Sequence, residues 1–351
     1  MFLNNIKFLN FKNHTQKAFA FSKKVNVFFG KNGKGKTNIL DAIFYLTSSK
    51  SLLNFTDIQL IKHDESFFRI EGSIHKKDQN NEIIIKYKPQ SKSIELNEVK
   101  YKKNTDFFGN FPIVYALPQD IFLLVGGSEE RRKLMDYTLS IIDAVYLEKL
   151  MIYNKYLEQR NALLKKEVQD QSLFDFYNQQ LEVNGYYIFE KRKTLFETLI
   201  PKIENWYAIL SDKQEEIAIH YKSQLIEATF SQLFKHSFEK DKILKRTTSG
   251  IHKDDLLFEI SDLDLKKAGS QGQQKSLLYA LRLAQAEWIA SHTSQKIVFI
   301  IDDFSDKLDE KRHQKLQEII NEVPFISQWF LTDTDKNHFE FIEDIALFEI
   351  A

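Results

Sequence analysis

The stretch VNVFFGKNGKGKTNILDAIFYL, Val25 to Leu46, decides how the rest of this chain is read. VNVFF is short, β-branched and aromatic, and it stops at Gly30, which predicts a buried strand. TNILDAIFYL sets Ile39, Ala42, Ile43 and Leu46 at helical spacing, which predicts a helix. Between them, GKNGKGKT fills the pattern G-x-x-x-x-G-K-[ST] with Gly30, Gly35, Lys36 and Thr37. Glycines let successive backbone N–H groups turn inward as an anion nest, and the helix start adds its positive end. Lys36 can then reach the β- and γ-phosphates of a nucleotide, and the Thr37 hydroxyl can ligate Mg²⁺. The candidate nucleotide contacts are Gly30, Lys31, Asn32, Gly33, Lys34, Gly35, Lys36, Thr37 and Asn38. The plain alternative is a glycine-rich turn beside solvated lysines. The filled motif and its strand–turn–helix flanks argue for an ATP or GTP site.

The 351 residues suit one large or two modest domains. Hydrophobic residues make up 43% and charged residues 28%, an ordinary balance that argues against disorder. Net charge is zero, so a nucleic-acid surface would have to be a local patch. The chain holds no cysteine, which excludes disulfides, thiolate metal sites and cysteine nucleophiles. It shows no apolar run long enough to span a membrane and no signal-peptide pattern. It reads as a soluble, cytoplasmic protein with no membrane partner.

Downstream, KIVFIIDDFSDKLDEKR predicts a strand from Ile297 to Ile301 that ends on two aspartates. Asp302 is the natural Mg²⁺-side carboxylate, and Asp303 stands where a base would orient attacking water. An acidic turn after a core strand is the plain alternative. Upstream, SQGQQ leads into a helix rich in leucine, with Ser270, Gly272 and Gln273 at its start. A helix N-terminus there can meet a phosphate; equally, Ser followed by Gln is a capping pattern. Taken together, the three motifs look like the ABC-type ATPase plan: phosphate loop, signature, then Walker B with an acidic pair. Asp306 to Asp309 fall where that plan has its D-loop. WFLTDTD, Trp329 to Asp335, ends at the switch position, where Thr332, Asp333 and Thr334 stand instead of the usual histidine.

The gap between the phosphate loop and the acidic pair is long, yet it holds only two helical stretches, about 129 to 166 and 172 to 207, without sustained heptads. Ordered motifs then bring out a resemblance along nearly the whole chain. They are FLNFKNHTQKAFAF, KSLLNFTDIQLIKHDE, LPQDIFLLVGGSEERRKLMD, YNKYLEQRNALLKK, GIHKDDL (Gly250 to Leu256), SQGQQKS and DDFSDKLD. The chain resembles the RecF family of recombination-repair mediators. It departs from the family pattern at Lys12, where Arg is more usual, at KSLL, where more basic residues are common, and at Asp306, where Ser is common.

The resemblance implies an ATP-dependent DNA clamp with ATP and Mg²⁺ as cofactors. One chain with one copy of each motif would then close only as a two-fold homodimer, the signature of one subunit facing the phosphate loop of the other. Thr37 and Asp302 would hold Mg²⁺, with Gln119 near a metal-sensing position. Lys36 and Asp303 would be catalytic. Ser270, Gly272 and Gln273 would contact the γ-phosphate in trans, and Lys12 and Asn13 would approach the nucleotide. The resemblance also implies binding to gapped, junction or double-stranded DNA, and mediator partners that load a recombinase. Candidate DNA contacts are Arg131, Arg132, Lys133, Lys191 and Arg192, with Lys102, Lys103, Lys165, Lys166 and Lys193 as further basic positions. Arg131 and Arg132 equally suit pairing with Asp136, Asp254 or Asp255. No base-reading module is present, so any DNA contact would be independent of sequence.

Three other readings stand beside this one. A transporter ATPase subunit would explain the ATP motifs but not the helical lobe. A GTPase should show a guanine-reading N-K-x-D. A structural clamp with negligible turnover would not need the acidic pair. The expected fold is α/β: an ABC-type P-loop ATPase head built from residues 1–125 and 208–351, with antiparallel β elements and an inserted helical lobe at 126–207. No long coiled coil is expected.

Overall fold

A computed structural model describes residues 1–212, 215–306 and 308–350. In chain order its elements open with β1 (Phe2–Phe11), β2 (His14–Ala20), β3 (Val25–Phe29) and α1 (Lys36–Ser48). Then come β4 (Phe68–Lys76), β5 (Gln79–Lys88), β6 (Ser91–Leu96), β7 (Val99–Lys100) and β8 (Ile113–Ala116). A helical run follows: α2 (Phe122–Val125), α3 (Ser128–Ile142), α4 (Ala144–Lys165) and α5 (Gln171–Leu210). Next are β9 (Ile217–Lys222), α6 (Phe230–Leu244), β10 (Asp255–Ile260), β11 (Leu263–Asp264), α7 (Leu265–Ala268) and α8 (Gln271–Thr293). The chain closes with β12 (Ile297–Ile301), α9 (Glu310–Glu322), β13 (Ile326–Asp333) and β14 (Ile345–Glu349). They divide into two compact units, Met1–Asp120 with Lys275–Ala351, and Ile121–Gln274.

The first unit is built on a five-stranded parallel sheet in the order β14-β3-β13-β12-β8. Its inner strands are near-continuous apolar runs because both of their faces are covered: IVFII of β12 is buried throughout, and VNVF of β3 likewise. Gln328 is a buried polar residue near the start of β13. Its amide bonds both backbone groups of Leu3 and the carbonyl of Ser22, tying the central strand to β1.

A six-stranded antiparallel sheet, β2-β1-β4-β5-β6-β7, completes this unit. It meets the parallel sheet through phenylalanines. Phe21 packs edge-on against Phe330 at 4.8 Å, and Phe19 against Phe28 at 5.4 Å. The hairpin between β4 and β5 turns through Lys77 and Asp78, both with positive φ, the twist-matched two-residue geometry that needs no glycine here. The α/β class, with antiparallel β elements and no long coiled coil, is the architecture expected from sequence.

In the second unit α3, α4, α5 and α6 form a helical lobe carrying the small antiparallel sheet β11-β10-β9. The stretch read as one helix from 129 to 166 is two helices. Asp143 leaves helical geometry, and its carboxylate caps α4 by accepting from the Tyr146 N–H at 2.9 Å. The compact second unit runs on from the helices through β9, α6, β10, β11 and α7 to Gln274. A buried ionic core binds the small sheet to the helices. Arg192 of α5 donates to Asp136 of α3 at 2.7 Å and to Asp254, beside β10, at 2.8 Å. Arg160 of α4 likewise pairs with Asp241 of α6 at 2.8 Å, both fully buried.

Candidate functional site

The phosphate loop leaves the parallel sheet at its carboxyl edge. Gly30 has φ 142°, and a Cβ there would lie 2.4 Å from the carbonyl oxygen of Ile350, just past β14. Only glycine fits between that strand's end and β13, whose Asp333 carbonyl accepts the Gly30 N–H. Gly33 and Gly35 also take positive φ, 81° and 90°, curling the loop into the start of α1. Lys36 is only 5% exposed, and its ammonium donates to the carbonyls of Gly30 at 2.6 Å and Lys31 at 3.2 Å. The lysine thus lies folded across the loop, a positive charge walled in by backbone. Lys31, Asn32, Gly33 and Lys34 form the exposed outer turn.

The acidic pair sits two strands away, and β13 runs between. Asp302, at the end of β12, is 5% exposed. It accepts from the Thr37 hydroxyl at 2.9 Å and from the Thr332 hydroxyl at 2.6 Å. Thr332 in turn accepts the Asp303 N–H at 2.9 Å, which fixes Asp303 at φ 51°, a left-handed turn rare for a residue with a side chain. One hydroxyl therefore sets both aspartates. Burial, and then the neighbouring Asp302 charge, push the Asp303 carboxyl above the usual range. Burial also raises Asp302, against hydrogen bonds from Thr332 and Thr37. Burial works the same way on Asp333, but donors from Ser305, His338 and Thr334 more than offset it and hold that carboxyl low.

The switch position thus holds a threonine that organises the acidic pair, and next to it an aspartate bonded to His338 at 2.8 Å. Neither role was foreseen from the sequence. The only signal for His338 is its position a short turn beyond β13, which spacing alone does not distinguish from a solvated histidine.

Asn13, in the turn between β1 and β2, accepts from the Asn38 amide at 2.7 Å and crowds Gly35. Lys12 does not face the loop. Its ammonium is buried against Asp41 of α1 at 2.5 Å and lies over the Phe55 ring. Gln119 is exposed in the turn after β8. Of the expected D-loop, Lys307 lies outside the described residues, and Asp309 caps α9 through the Arg312 N–H at 2.9 Å.

In the second unit, Ser270 and Gln273 form the reciprocal capping box that the sequence allowed. The Ser270 N–H donates to Gln273 at 2.7 Å, and the Gln273 N–H donates to the Ser270 hydroxyl at 3.2 Å. Gln273 also donates to Glu215 at 3.0 Å. Ser270 remains exposed and Gly272 partly so.

Two of the five basic candidates are buried. Arg131 is 7% exposed and grips Asp255 at 2.5 Å; Arg192 is 1% exposed inside the ionic core. Arg132 donates to the Asp254 carbonyl at 3.0 Å. Lys133 pairs with Glu129 and Glu130 on its own helix, and Lys191 pairs with Asp143 at 3.0 Å. Arg131 and Arg192 therefore hold the lobe together and face no ligand.

The model of the RecF/RecN/SMC N terminal domain family matches residues 2–349. A DNA replication and repair protein RecF from Flavobacterium johnsoniae is 42% identical over 347 residues, 97% of this chain and 96% of that protein. The chain belongs to the RecF family. A RecF from Parabacteroides distasonis is 38% identical, covering 100% of this chain and 97% of that protein. Two solved structures of the recombination mediator RecF in the RecFOR pathway share the fold. The complex with ATPrS gives TM-score 0.89 at 28% identity, covering 100% of this chain and 96% of that one. The complex with ATP gives TM-score 0.86 at 29% identity, covering 95% of this chain and 92% of that one. An Smc head bound to part of ScpA aligns at TM-score 0.60 and 15% identity, a likeness of fold alone. Among the described residues, no helix is long and apolar enough to cross a membrane.

Proposed function

We propose that this chain is an ATP-dependent DNA-binding protein of recombinational repair and replication-fork maintenance. The observation that carries the ATP reading is the bond from Thr37 to Asp302, which joins the phosphate loop to the acidic pair across β13. The DNA replication and repair reading comes from the named RecF relatives.

The residues fit a nucleoside triphosphate. Lys36 is a buried cation held by two carbonyls, which phosphate oxygens would replace, and the loop's glycines turn its N–H groups toward the same space. A hydroxyl and a carboxylate are hard oxygen donors, suited to Mg²⁺. Among the described residues no cluster of three or more His, Cys, Asp or Glu would hold a metal ion, so phosphate oxygens would complete the shell. In that reading Thr37 and Asp302 hold the cation, which would neutralise charge on the transferring phosphoryl group. Asp303, its backbone held by Thr332, orients the attacking water, and its raised pKa suits it to accept a proton. Turnover is slow and rises on DNA.

Ser270, Gly272 and Gln273 supply the γ-phosphate contact across a homodimer, so ATP binding closes the clamp on gapped, junction or double-stranded DNA and hydrolysis releases it. Partner mediators then load the recombinase. The protein works in the cytoplasm. Sedimentation tests the dimer. ATP and Mg²⁺ are expected to double the mass of Asp303→Asn protein. Ser270→Arg in that background is expected to bind ATP and stay monomeric, because Ser270 is exposed and its replacement disturbs no core. A Ser270→Arg protein that still doubles its mass would remove the signature from the interface.

A further inference from the structure

GIHKDDL was singled out in the sequence, yet the nucleotide site does not use it. In the structure, residues 250–255 are braced by several side chains of the second unit. Gly250 has φ 124°, and a Cβ there would meet the Tyr153 hydroxyl at 2.7 Å. The same hydroxyl lies 2.9 Å from His252 Nδ1, and the Thr247 carbonyl lies 3.1 Å from its Nε2. Arg192 donates to the Ile251 carbonyl at 2.8 Å, and Arg132 to that of Asp254 at 3.0 Å.

This bracing sorts charge. The acidic side chains turn inward: Asp254 to Arg192 and Tyr221, Asp255 to Arg131, and nearby Asp241 to Arg160 and Thr248. The basic ones turn outward. Lys253 stands exposed on the loop, and Lys240 and Arg246 are exposed at and just beyond the end of α6. Lys245 ends that helix in the left-handed conformation, at φ 52°. Lys242 and Lys245 are tied to Glu239 and Glu167. Among the described residues, Lys240, Arg246 and Lys253 meet no carboxylate at ion-pair distance.

We infer that Lys253, Arg246 and Lys240, with Arg132 beside them, form a contact for the phosphate backbone of DNA. The inference rests on the proposed DNA-binding function and names a surface for it. Burial, and then the charges of Arg246, Arg132 and Lys240, lower the Lys253 ammonium, against Asp241. Arg132 donates to the carbonyl of Asp254, next to Lys253, and Arg246 precedes Thr247, whose carbonyl lies 3.1 Å from His252 on the other side, so both flank Lys253; phosphates between these cations would offset their mutual repulsion. The exposed side chains offer charge without a fixed pair of hydrogen bonds for a base edge, so the contact positions DNA and does not read it.

The test is binding of the full chain, with ATP and Mg²⁺, to fluorescently labelled gapped duplex DNA across a salt series. Lys240→Gln/Arg246→Gln/Lys253→Gln is compared with wild type and with Lys86→Gln/Lys88→Gln, two exposed lysines of the other unit. The triple variant is expected to bind at least about tenfold more weakly and to lose about 2 to 3 from the slope of log affinity against log salt, near 0.9 for each phosphate contact removed. Its melting temperature should not move, and the control should bind like wild type. Salt-dependent binding that the triple variant retains in full, or that the control loses equally, overturns this contact and leaves the DNA reading intact. Wild-type protein that binds no DNA overturns that reading, and this contact with it.

Discussion

Asp303→Asn is expected to lower ATP turnover by about 10²- to 10⁴-fold while leaving nucleotide affinity near wild type, the range lost with a positioned base. The amide keeps the shape and the backbone N–H bond to Thr332 but cannot take a proton. Thr332→Val separates chemistry from positioning. It removes the hydroxyl that donates to Asp302 and accepts from Asp303, while both carboxylates remain. Its expected loss is smaller, about 10- to 100-fold in turnover, as for a catalytic group displaced by a fraction of its length. The pH profile carries a further sign. Asp303 must be ionised to act, and its carboxyl lies above the usual range, so activity should fall away on the acid side at a higher pH than an ordinary aspartate of pKa about 3.9 would give. Single-turnover hydrolysis across pH checks all three. Unchanged turnover in Asp303→Asn would remove the residue from the chemistry.

Arg192→Leu is expected to cost about 3–5 kcal/mol, the range for removing one partner of a buried ion pair. Burial works against the guanidinium charge, but Asp136, Tyr146 and Asp254 more than offset it, and the group stays charged. Its loss strands Asp254, whose carboxyl burial already raises and Arg192 pulls back down. Without Arg192 the folded-state pKa of Asp254 rises further. A carboxyl raised in the folded state binds its proton more readily there than in the unfolded chain, so stability rises as pH falls through that raised value. The deficit of Arg192→Leu should therefore be larger at neutral pH than in mild acid. Denaturant melts followed by a probe in the helical unit check this. A deficit that grows toward acid would contradict it.

The strands and turns of the head were legible because each carries a local cause. IVFII is apolar throughout and VNVFF apolar but for Asn26, as suits strands covered on both faces, and the glycines of GKNGKGKT mark where the backbone turns left-handed. That Thr37 meets Asp302 followed from the chemistry of the motif. That β13 lies between their strands is strand order, set by nonlocal pairing, and no window of sequence holds it. For the same reason Thr332 was read only as a missing histidine. The basic residues show the limit most plainly. For Arg131 the sequence already allowed a partner among Asp136, Asp254 and Asp255, and Asp255 is it; KRK reads as solvent-facing charge, yet Arg192 faces carboxylates more than fifty residues away in the chain. Conversely, KDD reads as mixed charge, and only the fold turns its acids inward and its lysine out. Buried ion pairs, likewise invisible to hydrophobic periodicity, tie the start of β10 to the helices.

The most direct test of the central claim is steady-state ATP hydrolysis with Mg²⁺, with and without gapped duplex DNA, across a salt series and with Lys36→Ala as the blank. Coupled nucleotide and DNA sites predict a low basal rate that DNA raises and that high salt returns to the basal level, with Lys36→Ala inactive throughout. A rate that ignores DNA at every salt concentration would contradict an ATP-gated clamp and leave a nucleotide switch that answers to some other partner.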